Sequence, residues 1–334
     1  MTLRSSTHTD AEIKAAVSKA GGNAREAGAA LGLHERSVRR RLRNMKAPLV
    51  ADKLPEEGLS VEALLDQRCK AFTMKNKAAE AAYERTVRVP LTGPIGILHL
   101  GDPHLDDDGC DLPLLRRHVE LVQKTEGLYG ATVGDMLNNW VGRLGRLYAH
   151  QGTTAKQGWQ LTEWLVQSMD WLYLVRGNHD AWSGDGDPLD WITRGHVPVD
   201  AAYDARIRLV WPNGEDARIW ARHDFPGRSQ WAKSHGQAKA AVLGGYPADL
   251  LISGHRHCWE SRMAERAEGS VYQAVQVGSY KRHDSYSAQL GFPDTKHGAA
   301  VLTIIDPSNK GPGRVRVEWD IEAGVEYLNW LRAR

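Results

Sequence analysis

Ile95-Gly96-Ile97-Leu98-His99-Leu100, followed at once by Gly101-Asp102-Pro103-His104, is an apolar run that ends in metal-competent side chains. A short Ile- and Leu-rich segment closed by Gly and Pro predicts a buried strand that stops in a turn. The same order recurs downstream. Ala131-Thr132-Val133 leads to Gly134-Asp135-Met136-Leu137-Asn138, and Trp171 to Val175 leads to Arg176-Gly177-Asn178-His179-Asp180. Ala217 to Ala221 leads to Arg222-His223-Asp224, and Leu250 to Ser253 leads to Gly254-His255-Arg256-His257. Between the first two blocks, Leu112 to Lys124 has the periodicity of an amphipathic crossover helix. Strands joined by such crossovers run parallel, so their carboxyl ends meet at one edge, where α/β proteins hold ligands. The expected class of residues 85–334 is therefore α/β.

The donor chemistry points to metal. Asp102 and His104, and likewise His255 and His257, are two residues apart, and alternate side chains of an extended segment share a face. Gly101, Gly134, Gly177 and Gly254 stand before ligand candidates and are expected to let the backbone turn sharply. Asp and Asn oxygens mixed with imidazole nitrogens suit Mn, Fe or Zn, and sulfur is absent from the set. The seven candidates Asp102, His104, Asp135, Asn178, His223, His255 and His257 are too many for one catalytic ion that keeps open positions. Two divalent ions sharing one carboxylate match the count.

The ordered series Asp-x-His, Gly-Asp-x-x-Asn, Gly-Asn-His-Asp, a lone His, and Gly-His-x-His resembles the calcineurin-like metallophosphoesterase superfamily, over about two thirds of the chain. The resemblance implies a four-layer α-β-β-α sandwich. It implies one ion on Asp102, His104 and His257, a second on Asn178, His223 and His255, and Asp135 as the bridge. His179 would be the proton donor beside the leaving oxygen, with Asp180 as its orienting partner. The reaction would be phosphodiester hydrolysis by a metal-bridging hydroxide, with two ions, Mn first and Fe, Zn, Mg or Co as alternatives. Asn138-Asn139 stands where the protein serine/threonine phosphatases of this superfamily carry Asp-Arg-Gly, which argues against that branch. Substrate contacts are expected from Asn138, from Lys281 and Arg282 after the last ligand pair, and from His235 in the edge Ser229 to Lys239. The acidic loop Asp106, Asp107, Asp108 and Asp111 reads as a solvated loop, with an outer metal shell or a specificity loop as the alternative.

Before this domain, residues 1–46 read as three short helices, Asp10 to Ala20, Ala24 to Leu31 and Glu35 to Met45. Asp10 is the candidate cap of the first, and Ile13, Ala16, Val17 and Ala20 form its apolar stripe; Val38 and Leu42 face inward from the third. Arg36, Arg39, Arg40, Arg41 and Arg43 then lie on a helix suited to the major groove. The run Gly21-Gly22-Asn23, an alanine-rich helix, Leu31-Gly32 and the arginine-rich helix resembles a Fis-type helix-turn-helix, implying a small all-α DNA-binding domain. Residues 47–84 read as a linker and a connecting helix, Val61 to Tyr83.

Composition sets the remaining limits. With 42% hydrophobic and 25% charged residues, a chain of 334 residues can bury a sizeable core. A net charge of +2 averages over local patches. Cys69, Cys110 and Cys258 are widely spaced, which suits a reducing compartment. Met1 to Lys14 holds no apolar leader, and no apolar run reaches the ~18 residues of a membrane span. The expectation is a cytoplasmic protein, in the host cytoplasm for a phage-encoded chain, with DNA as partner, no membrane, and homo-oligomerisation left open. The twelve tryptophans, several of them between Trp140 and Trp231, read as packing, with a base-stacking surface as the alternative. Two functions stay in play: a DNA-directed nuclease or phosphodiesterase of the SbcD-like branch, and a small-nucleotide or cyclic-nucleotide phosphodiesterase or phosphatase whose helix-turn-helix localises or regulates it. A DNA-binding regulator that keeps the fold without catalysis is disfavoured, because every ligand position and His179 are present.

Overall fold

A computed structural model of the chain describes residues 8–45, 58–182, 187–283 and 297–334. It divides into two compact units, Met1–Lys70 and Ala71–Arg334.

The first unit holds α1 (Asp10–Lys19), α2 (Ala24–Ala30) and α3 (Glu35–Asn44) around buried Ile13, Ala24 and Val38. Thr9, not Asp10, caps α1: its hydroxyl accepts from the Glu12 N–H while the Glu12 carboxylate accepts from the Thr9 N–H, which satisfies two donors at the helix start. Gly28 lets α2 and α3 meet, since a Cβ there would lie 2.6 Å from the Leu33 carbonyl oxygen. The linker read from Ala47 to Ser60 falls mostly outside the described residues, and α4 (Val61–Ala82) follows it.

The second unit confirms the α/β class. One six-stranded sheet has the order β12 (Val315–Glu318), β11 (Ala300–Ile305), β2 (Ile95–Leu100), β3 (Leu128–Thr132), β4 (Trp171–Val175), β5 (Asp200–Ala201). The other runs β1 (Arg85–Arg88), β6 (Asp204–Val210), β7 (Asp216–Arg222), β8 (Leu250–Ser253), β10 (Val271–Gln276), β9 (Glu260–Glu265). β2, β3, β4 and β5 are parallel, joined through α5 (Leu112–Lys124) and α6 (Ala155–Gln167), and β7 is parallel to β8.

Alternation along the strands builds the layers. Ile95 and Ile97 of β2 point between the sheets, where they meet Ala131, Val175, Ile207, Ile219 and Ile252. The outer face of the second sheet, Trp220, Leu251 and Tyr272, packs on Ala241 of α7 (His235–Leu243). Leu98 and Leu100 point to the opposite side, into a cluster with Leu115 and Val119 of α5, Leu165 of α6, and Leu328 of α8 (Ile321–Arg332). The order is helix, sheet, sheet, helix. Among the described residues no helix is long and apolar enough to cross a membrane.

Candidate metal centre

The carboxyl ends of β2, β3 and β4 on one sheet and of β7 and β8 on the other deliver the candidate ligands to one place. The Nε2 atoms of His104 and His257 are 3.3 Å apart, and His257 Nε2 is 3.4 Å from Asp102 Oδ2. A second group gathers on His223 Nε2, with Asn178 Oδ1 at 3.0 Å, His255 Nδ1 at 3.1 Å and Asp135 Oδ2 at 3.2 Å. The structure thus brings together all seven residues read as ligands, with Asp135 between the two groups. His179 joins them: its ring, that of His104 and the Asp135 carboxylate place donor atoms within 4.8 Å of one another.

Backbone strain is concentrated in the same residues. Among the described residues, the non-glycine positions with positive φ are His104 (44°), Asp135 (54°), Asn139 (41°), His255 (70°) and His257 (46°). Each such residue costs on the order of 1 kcal/mol and persists only where its surroundings over-determine it. The expected role of the glycines is right at Gly134, with φ of 116°, and needs correction elsewhere. Gly177 and Gly254 serve close approach, because a Cβ at either would collide with a carboxylate, that of Asp135 or Asp102.

The electrostatics favour cations. Asp102 is fully buried; its Oδ2 accepts from the His255 N–H at 2.6 Å, while its Oδ1 has no hydrogen-bond partner, and neither has Nδ1 of buried His104. An unpaired buried oxygen on an ionisable carboxyl is strongly unfavourable unless a cation sits on it. Burial holds Asp102 well above the usual carboxylate range. Burial also opposes ionisation of Asp135, but the neighbouring His223, His179 and His104 outweigh it and hold Asp135 low. His223 mirrors this: burial works against its charge, and the Asp135 carboxylate overrides it and pushes the imidazole up to about 10. A proton there does the work a metal ion would do. Burial keeps His104 and His255 below the usual histidine range, in the neutral form that ligation requires. His223 Nδ1–H donates to the Val133 carbonyl at 2.8 Å, which aims Nε2 at the cluster. The donor set therefore fits divalent ions.

His179 is held differently from expectation. Its Nδ1–H donates to the carbonyl oxygen of Asn138 at 2.5 Å, its main-chain carbonyl accepts from Asn139 Nδ2 at 2.8 Å, and its Nε2 lies 3.9 Å from Asp135 Oδ2. Trp182 packs on the ring with centroids 4.1 Å apart, and Trp140 meets it edge-on at 5.3 Å. Asp180, read as its orienting partner, is instead buried and accepts from the N–H groups of Asp135, Met136 and Gly177, at 2.8, 2.9 and 2.8 Å. Burial and the nearby Asp135 charge push Asp180 up to about 7. Its role is to pin the two ligand turns to each other.

The acidic loop is solvated only in part, with Asp106 buried, Asp107 and Asp111 half-buried and Asp108 exposed, and the substrate contacts read from the sequence are mostly committed elsewhere. Asp106 accepts from the Asn138 N–H at 2.7 Å, and Asp107 accepts from Asn138 Nδ2 at 2.7 Å and from Lys281 Nζ at 2.9 Å. Asn138 and Lys281 are therefore structural anchors beneath His179, both buried. Arg282 pairs with Asp111 at 2.6 Å. His235 is exposed at the start of α7, and no described contact joins it to the cluster. In the first unit, Arg36, Arg39, Arg40 and Arg43 are exposed on α3, Arg39 pairing with Glu35 at 2.8 Å, whereas Arg41 is half-buried and bonds Asp10 (2.5 Å) and the His8 carbonyl (2.7 Å), ties that a DNA contact would have to exchange.

No family model matches the chain, and no curated protein matches it. Among solved structures, a 5'-nucleotidase precursor from Thermus thermophilus is similar with a TM-score of 0.39 and 12% identity, over 72% of this chain and 59% of that one. A protein of unknown function, AQ665 from Aquifex aeolicus, gives 0.28 and 15%, over 49% of this chain and 80% of that one. At these scores neither likeness bears on the chemistry, which rests on the cluster itself.

Proposed function

We propose that this chain is a metal-dependent phosphodiesterase of the calcineurin-like metallophosphoesterase type, directed to DNA. The observation that carries the reading is the pair of donor groups flanking Asp135, one of them containing a buried carboxylate oxygen with no partner. Asp102, His104 and His257 would hold one ion and Asn178, His223 and His255 the other, with Asp135 shared. Divalent ions there, Mn first and Fe, Zn, Mg or Co as alternatives, supply Lewis-acid polarisation of phosphoryl oxygens and make water nucleophilic near neutral pH.

The protein's own part is positioning and proton transfer. His179 has Nδ1–H tied to Asn138, so Nε2 is the ring nitrogen that carries a proton to the leaving oxygen. Trp140 and Trp182 flank that ring and leave it only partly open to water. Among the described residues the cluster presents ligands and imidazoles and no serine, threonine or cysteine read as a covalent nucleophile. The preference for DNA over small nucleotides is supported by the exposed arginines of α3.

The test is hydrolysis of bis(p-nitrophenyl) phosphate, single-stranded DNA, duplex DNA and cyclic nucleotides by purified protein, with metal content measured alongside. Activity that depends on added divalent ion, is lost on chelation and favours DNA supports the proposal. Full activity in metal-free protein would overturn it, and preference for cyclic nucleotides would move the substrate to the small-nucleotide alternative.

A further inference from the structure

We infer that the loop from Phe225 to His235 is a binding edge for single-stranded DNA, on which Trp231 stacks a base while Arg228 and Lys233 meet phosphates. The inference deepens the phosphodiesterase reading, on which it rests for the direction in which the strand leads.

Trp231 is 92% exposed, the most exposed large apolar side chain among the described residues. Burying an indole is worth several times what burying a smaller side chain is, so leaving one in water is an unusual expenditure unless something stacks on it. Arg228, Lys233, His235 and Lys239 are exposed with it. From Phe225 to Ala248 the chain contains no Asp or Glu. Among the described residues no carboxylate pairs with Arg228, Lys233 or Lys239, whereas Arg222 and Arg256 on either side of the loop are both paired. Basic residues interleaved with an exposed aromatic ring match a polyanion carrying flat bases, and unpaired bases are the ones open to stacking.

The loop is also held at the metal centre. It begins two residues after His223. Arg256, between His255 and His257, donates to the carbonyl oxygens of Phe225 and Gly227, both at 2.9 Å, and to Asp224 at 2.8 Å. At the other end Ser234 is fixed by its N–H and hydroxyl to Glu260 Oε2, at 2.5 and 2.6 Å, three residues beyond His257. Ser229 Oγ accepts from the N–H groups of Trp231 and Ala232 at 3.2 Å each, which shapes the turn that presents the indole. The edge is thus tied on both sides to the segment that supplies the last two ligands.

The test uses the full chain in EDTA, so that binding is read without hydrolysis. Fluorescence anisotropy of a short fluorescein-labelled thymidine oligonucleotide should show Trp231→Ala weakening affinity about tenfold and Trp231→Phe by no more than about threefold. Arg228→Ser combined with Lys233→Ser should reduce the slope of log affinity against log salt by about 1.4. Irradiation with a 5-bromodeoxyuridine oligonucleotide should place an adduct on Trp231. An affinity of Trp231→Ala within about twofold of the parent, or adducts confined to other peptides, overturns the inference. If the oligonucleotide cross-links at Trp231 yet is not hydrolysed when Mn is restored, the enzymatic reading fails and this one stands. Metal-dependent hydrolysis with unchanged binding by Trp231→Ala rejects the stacking edge and leaves the enzymatic reading intact.

Discussion

The Nε2 atoms of His104 and His257 face each other at 3.3 Å although the residues are 153 positions apart in the chain. Two imidazole nitrogens at that separation must share a proton or a cation, and burial disfavours protonation of His104. The pair is thus either a hydrogen bond between neutral rings or two donors to one cation, and a divalent ion there would satisfy both nitrogens at once.

Asp135→Asn is the most damaging single change expected, since Asp135 Oδ2 lies 3.2 Å from His223 and borders both donor groups. Metal content should fall for both ions and turnover should drop by at least about 10²-fold. Unchanged metal stoichiometry with near-normal turnover would sink the two-ion assignment.

His179→Ala should retain metal and lose turnover by ~10²-fold or more, as for removal of a proton donor. Elemental analysis beside kinetics separates the alternatives, because His179 stands within ligand distance of His104 and Asp135. Loss of an ion in this variant would make His179 a ligand.

Asp102→Asn should change sign with metal. In chelator it removes a buried carboxyl whose Oδ1 has no partner, so the melting temperature should hold or rise. With saturating Mn the parent should gain about 2.7 kcal/mol at a hundredfold excess over Kd, and the variant should gain much less. Calorimetry in both conditions checks it; equal metal-induced shifts in the two proteins would remove Asp102 from the ligand set.

His99 and His118 each make the second unit more sensitive to acid, against the opposite pull of Asp102 and Asp180, whose carboxyls are raised in the fold. Burial lowers His99 to about 3 and His118 to about 4 from an unfolded value of 6.5. A folded pKa below the unfolded one means the unfolded chain binds more protons, so stability falls as pH drops through 6.5 towards those values. Between about pH 6.5 and 5 each histidine should cost roughly 2 kcal/mol. Denaturant midpoints of metal-free parent and of His99→Gln with His118→Gln, each followed from pH 6.5 to 5, should differ in slope, the parent losing more stability to acid; equal slopes refute the assignment.

Removing residues 1–46 takes away exposed Arg36, Arg39, Arg40 and Arg43 and no candidate ligand. The salt slope of duplex DNA binding should fall by roughly 3 to 4, while hydrolysis of the small chromogenic diester barely changes. Equal DNA affinity of the truncated and full-length proteins at low and physiological salt would reject the helix-turn-helix reading.

Much of the second unit was legible because its chemistry is local. Trp171–Val175, Leu250–Ser253 and Leu112–Lys124 are found with the bounds their apolar patterns predict, and the ligands follow each strand directly. What escaped was long-range. Nothing near Asp106 or Asp107 in sequence reveals that they grip Asn138 more than thirty positions away, and an acidic run by itself looks solvated. Asp180 misled for the opposite reason: standing next to His179 suggested a partnership, whereas its place in a tight turn sends its carboxylate to the main chain of Asp135 and Met136. The exposure of Trp231 had no sequence signal either, since a tryptophan between loop residues reads as packing.

The way the donors divide between the sheets bears on how the protein assembles. Asp102, His104, Asp135 and Asn178 follow strands of one sheet, and His223, His255 and His257 follow strands of the other. Each group of donors draws on both, so a half-built molecule with a single sheet offers no complete coordination sphere. Ion capture then requires that both sheets have docked, and we expect it to follow the rate-limiting barrier. Metal in the buffer should therefore leave the refolding rate nearly untouched and lengthen the lifetime of the native state, acting as a latch that closes once the two sheets have docked.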